Sequence, residues 1–139
     1  MSATASARRP FPTLAAQLVR YALVGTSNTA LTLIAYTTLV AVGVPPTVAA
    51  SAGWAIGAFS GYVLNRGWTF RSTTPGAGPA TRYAAVALVG AMLDALGVAV
   101  LVGDEGRPHL AGEVAILPVV TALTFVLCRR WVFVEAMPA

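Results

Sequence analysis

Between Tyr21 and Asn65 the chain carries no Asp, Glu, Lys, Arg or His. In water such a run has no charged face to turn outward. In a bilayer it is charge that is expensive. One crossing needs about 20 apolar residues, so this run is too long for a single span. Gly43-Val44-Pro45-Pro46 divides it, because consecutive prolines cannot continue a helix. Two spans are expected, over residues 22–42 and 47–64. Residues 72–80 read as a polar, Pro/Gly-rich loop. A third span follows over 83–102, then a charged loop at 103–109, then a fourth span over 112–131 in which Pro118 is expected to kink the helix and free a carbonyl. Residues 1–12 are expected to be a disordered cytoplasmic N-terminus, residues 13–135 a four-helix membrane domain, and 136–139 a cytoplasmic tail. Leu14–Val19 is expected to lie along the membrane interface.

Composition agrees. Of 139 residues, 57% are AVILMFWYC and 10% are charged, and the mean hydropathy is +0.74. These values exclude a soluble globular enzyme and a disordered chain. The single cysteine, Cys128, excludes an internal disulfide and a thiolate cluster. His109 is the one histidine and reads as a solvated loop residue. No P-loop, GxGxxG, DxD or metal-ligand spacing is present, so no metal, cofactor or catalysis is expected. All nine basic residues are arginine, which fits either genome composition or a need for phosphate-binding guanidinium groups.

Arginine placement orients the chain. Arg8, Arg9 and Arg20 precede the first span; Arg66, Arg71 and Arg82 lie between the second and third; Arg129 and Arg130 follow the fourth; only Arg107 falls on the other side. The positive-inside rule then puts both termini in the cytoplasm. The net charge of +4 does not indicate nucleic acid, because the arginines sit at the ends of apolar segments.

The sequence repeats itself. Arg20-Tyr21-Ala22 opens the first span and Arg82-Tyr83-Ala84 the third. Leu64-Asn65-Arg66-Gly67-Trp68-Thr69-Phe70 closes the second and Leu127-Cys128-Arg129-Arg130-Trp131-Val132-Phe133 the fourth. The expected fold is an all-α integral membrane domain, four helices as two parallel two-helix hairpin repeats related by an axis along the membrane normal.

Candidate site residues follow from position. Arg66, Arg129, Arg130, Arg20 and Arg82 gather at the cytoplasmic interface, where guanidinium groups either anchor topology or grip a lipid phosphate. Trp68, Phe70, Trp131 and Phe133 are expected to contact lipid or a prenyl chain. Asp94 is the acid placed near mid-depth in a span. It would bond sugar hydroxyls, carry a proton, or bond a neighbouring helix through Asn28, Thr29 or Thr32. Asn28 and Asn65 suit sugar hydroxyls or helix bridging. Gly53, Gly57 and Gly61 form a small-residue stripe that packs either within the bundle or at a homo-oligomer face. Trp54, in the same span, reads as packing or lipid-facing.

The chain resembles the GtrA-like family of small four-helix membrane proteins. The resemblance rests on Arg20-Tyr21-x-x-Val24-Gly25, on Asn65-Arg66-x-Trp68-x-Phe70, and on the related Arg129-Arg130-Trp131-Val132-Phe133. Tyr21 replaces the usual Phe, and Cys128 stands where the second half would repeat Asn65. The resemblance implies translocation of a polyprenyl-phosphate-linked sugar across the cytoplasmic membrane for cell-surface polysaccharide synthesis. The alternative is a non-catalytic membrane partner that recruits or stabilises a polyprenyl-phosphate glycosyltransferase. A small proton-coupled drug exporter is disfavoured, since the first span holds no acid.

Overall fold

Thr13 starts the first helix: its hydroxyl accepts from the Ala16 amide at 3.3 Å. Nothing after it breaks the helix until Gly43, whose φ of +92° is open to glycine. The result is α1, Leu14–Ala41. Leu14–Val19 is the start of α1. At 28 residues, or about 42 Å, α1 is longer than a bilayer's hydrocarbon core. The structure is a computed structural model and describes residues 12–102 and 109–134. The segments expected at 1–12, 103–109 and 136–139 therefore lie outside the described residues, save Pro12 and the backbone of His109.

Pro46 sits at the first position of α2 (Pro46–Leu64), where its missing N–H costs nothing. Pro79 favours the start of α3 (Gly78–Val102) in the same way, so the last residues of the expected loop are helical. The fourth helix is α4 (His109–Leu127), and it runs through Pro118. Each hairpin closes with a π-helical turn, π1 (Asn65–Thr69) after α2 and π2 (Cys128–Val132) after α4. Sequence reasoning did not anticipate these turns. All described elements are helical, and four are long and apolar enough to cross a membrane.

Helix α1 packs on α2, and α3 on α4. Small residues make both contacts close. A Cβ on Gly53 would lie 2.9 Å from the Thr32 carbonyl oxygen, and one on Gly57 would meet the Thr32 hydroxyl. Gly61 faces Asn28 and Tyr83. Of the two readings of the Gly53–Gly57–Gly61 stripe, the chain's own helices pack against it within the bundle. In the second hairpin Gly90 and Gly97 do the same work against Thr124 and Ile116.

The buried core lies where both hairpins open, around the π turns. It comprises Phe70, Tyr83, Val86, Phe125, Cys128, Val132 and Phe133, with Tyr21 and Tyr62 packed beside it. Phe70 and Phe133 stack on each other at 5.0 Å and are fully buried. Their expected role as lipid contacts is therefore corrected. The reason is local. The Phe70 amide bonds the Asn65 carbonyl, and Phe133 bonds Cys128, each at 2.8 Å. A bond from i to i+5 sets the phenylalanine one turn beyond an inward residue, on the same inward face.

Candidate functional site

The first part of the site is the collar formed by the two π turns. A helix end leaves carbonyls without partners, and an arginine from the other helix of each hairpin supplies one. Arg20 Nη1 donates to the Trp68 carbonyl at 3.1 Å, and Arg82 Nη1 donates to the Trp131 carbonyl at 3.3 Å. Their guanidinium groups lie 5.3 and 6.0 Å from the Trp68 and Trp131 ring centres. Both contacts suit a cation at a helix C-terminus. Arg66 donates to the Tyr62 hydroxyl at 3.2 Å and to the Thr74 carbonyl at 2.7 Å.

Arg129, the counterpart of Arg66, has a buried Nε without a partner, and Arg130 is exposed. The five arginines thus share one end of the bundle, but three are engaged in holding it together. The indole rings of Trp68 and Trp131 are about half exposed.

The two tyrosines that follow Arg20 and Arg82 reach across to the opposite hairpin. Tyr83 accepts from Asn65 Nδ2 at 3.2 Å, and Asn65 Oδ1 accepts from Thr69 at 2.8 Å. Asn65 therefore ties π1 to α3. Tyr21 meets Cys128 Sγ at 3.7 Å. The repeated Arg-Tyr pair was the signal for these residues, although only its arginine was read as functional.

The second part is a pair of adjoining cavities between the hairpins. The smaller, about 290 Å³, is lined by Tyr21, Asn28, Asn65, Tyr83 and Thr124 among others. The larger, about 400 Å³, shares Tyr21, Asn28, Tyr83 and Thr124 and reaches Trp54, Asp94 and Cys128. From Tyr83 to Asp94 the rise along α3 is about 17 Å. The space thus runs from the collar toward mid-depth in the helices. The structure brings Asn28, Asn65 and Asp94 to this one space. Asn28 Oδ1 and Asp94 Oδ1 are both buried without a hydrogen-bond partner. The expected alternative for Asp94 is a helix-packing hydrogen bond with Asn28, Thr29 or Thr32; its Oδ1 accepts none.

Three lining threonines turn inward on their own helices. Thr26 donates to Ala22, Thr29 to Gly25 and Thr124 to Val120. Thr124 carried no sequence signal, since a lone threonine in an apolar helix is common. Among the described residues no cluster of three metal-ligating side chains occurs.

The family model described as GtrA/DPMS, transmembrane domain, matches residues 20–133. No individual curated protein matches the chain. The matched region starts at Arg20 and ends at Phe133, the residues that open α1's collar contact and close π2.

Proposed function

The chain belongs to the GtrA/DPMS transmembrane-domain family, multi-pass membrane proteins involved at family level in polyprenyl-phosphate sugar translocation, and from that premise we propose that it carries a polyprenyl-phosphate-linked sugar across the cytoplasmic membrane without catalysing a reaction. Both termini are cytoplasmic in this reading, because eight of nine arginines fall on that side. The collar then faces the cytoplasm, where the lipid's phosphate is presented. The exposed Arg130 meets it first; Arg129, whose Nε has no internal partner, and the spare N–H groups of Arg66, Arg20 and Arg82 complete the hold. Trp68 and Trp131 flank the prenyl chain, which stays in lipid.

One observation carries the reading. A cavity of about 400 Å³, within the range typical of small-molecule sites, is lined by Asn28 and Asp94, each of which has a buried side-chain oxygen with no internal partner. Buried polar groups are normally satisfied. Groups left open in a membrane span are a binding site awaiting donors, and sugar hydroxyls are donors.

The test is a headgroup-accessibility assay in proteoliposomes carrying a polyprenyl-phosphate sugar. The intact chain should move the headgroup across faster than protein-free vesicles. Asn28→Leu and Asp94→Asn should each slow it about tenfold, the factor equal to about 1.4 kcal/mol. Movement at the protein-free rate, with the chain folded and inserted, overturns the reading and turns attention to a co-purifying glycosyltransferase.

A further inference from the structure

Three features of the cavity constrain the sugar itself. Asp94 is the only Asp or Glu within the four candidate spans, and its Oδ1 has no partner. Among the described residues no Arg, Lys or His lines either cavity. The hydroxyls of Thr26, Thr29 and Thr124, which line the space, donate to their own helices. Among the described residues no cation lines the cavity beside the Asp94 carboxyl, and the arginines of the collar stay at its other end.

A ligand bearing its own negative charge would face Asp94 across a medium that screens poorly. A ligand of hydroxyls alone would satisfy the acceptors but leave the charge unbalanced. A primary ammonium does both at once, donating three hydrogens and pairing with the carboxylate. We propose that the cavity selects a sugar with a free amino group, its ammonium bound by Asp94 Oδ1 with Asn28 Oδ1 and the threonine oxygens taking the neighbouring donors. The assignment rests on reading the cavity as the headgroup's path. It adds the class of headgroup, an amino sugar in preference to a neutral, N-acetylated or acidic one.

Binding is measured by titration calorimetry on the full chain in nanodiscs with glucosamine, N-acetylglucosamine, glucose and glucuronic acid. Glucosamine should bind about tenfold more tightly than glucose or N-acetylglucosamine, and glucuronic acid more weakly than all three. Asp94→Asn should abolish the preference, so that glucosamine and glucose bind this variant equally, and Asp94→Glu, which keeps the charge, should retain it. Equal affinities for the four sugars, or a preference that survives in Asp94→Asn, overturns the proposal. If Asp94→Asn does not fold, the comparison of glucosamine with its N-acetyl form decides alone. Translocation is scored separately, in vesicles carrying amino and neutral sugar lipids. No movement of either lipid defeats the transport reading, whereas equal movement of both defeats only the amine preference.

Discussion

Tyr83 meets an amide and Tyr21 meets a thiol, although each follows an arginine and each reaches the π turn that closes the opposite hairpin. The scaffold contacts of the two hairpins correspond closely. Arg20 and Arg82 hold the Trp68 and Trp131 carbonyls, and the Phe70 and Phe133 amides close the same i to i+5 bond. The polar fittings differ. Asn65 is satisfied on both sides, by Tyr83 and Thr69, whereas Cys128 has Val132 where Asn65 has Thr69. Arg66 is engaged by Tyr62 and Thr74, whereas Arg129 Nε is left open. The first hairpin's closing motif is thus a locked structural joint. The second's keeps a free donor at the same level of the bundle. Equivalent sequence positions need not carry equivalent chemistry, because the partner residues decide which groups remain available.

The largest effect that tests this comparison comes from the stacked phenylalanines. Phe70 meets Tyr21, Phe125 and Phe133, and Phe133 meets Tyr62, Tyr83 and Phe70. Phe70→Ala and Phe133→Ala should each cost about 3 kcal/mol of bundle stability, and nearly equally, by reversible unfolding in mixed micelles. A large difference between them would show that only one hairpin's end supports the core. Next, Gly61→Ala should cost about 2 kcal/mol, since its Cβ would meet Asn28 and Tyr83, while Gly25→Ala, with nothing within 4 Å, should be neutral or better.

Cys128→Asn sharpens the comparison further. It puts the first hairpin's amide in the second, but Val132 cannot donate to it as Thr69 does, so an unsatisfied oxygen should cost about 1.5 kcal/mol. Adding Val132→Thr should recover most of that loss, and a double variant no better than the single would refute the explanation. The smallest effect belongs to the collar. Arg20→Ala and Arg82→Ala should each lose about 0.5 kcal/mol, the worth of a cation at a helix C-terminus, and more at low salt than at high salt.

The count of spans and their breaks were legible because they rest on strong local signals. The uncharged run at 21–65, the Pro45-Pro46 break and the arginines at segment ends each act without tertiary help. Helix α1 begins earlier than the span expected from 22, at Leu14, where Thr13 caps it. The π turns left no such trace. Asn65-Arg66-x-Trp68-x-Phe70 was seen as an interfacial motif, so Phe70 and Phe133 were set facing lipid, and one extra residue per turn turns them into the core. The glycine stripe was legible as close packing, but its partner was not, because periodicity does not say which helix approaches. At the site, Asp94 and Asn28 stood out as polar residues inside spans. Thr124 and the tyrosines did not, since their roles depend on how the two hairpins meet.

The most direct measurement is where the headgroup goes. A polyprenyl-phosphate sugar carrying a photoreactive group on the sugar is incorporated with the chain, irradiated, and the attachment residues are mapped by mass spectrometry. Passage between the hairpins predicts labels on Asn28, Tyr83, Thr124 and the α3 turn around Asp94, and their loss with excess unlabelled lipid. Labels confined to outward residues such as Phe59 and Met92, each 71% exposed, would contradict it and leave the cavity without a role in transport.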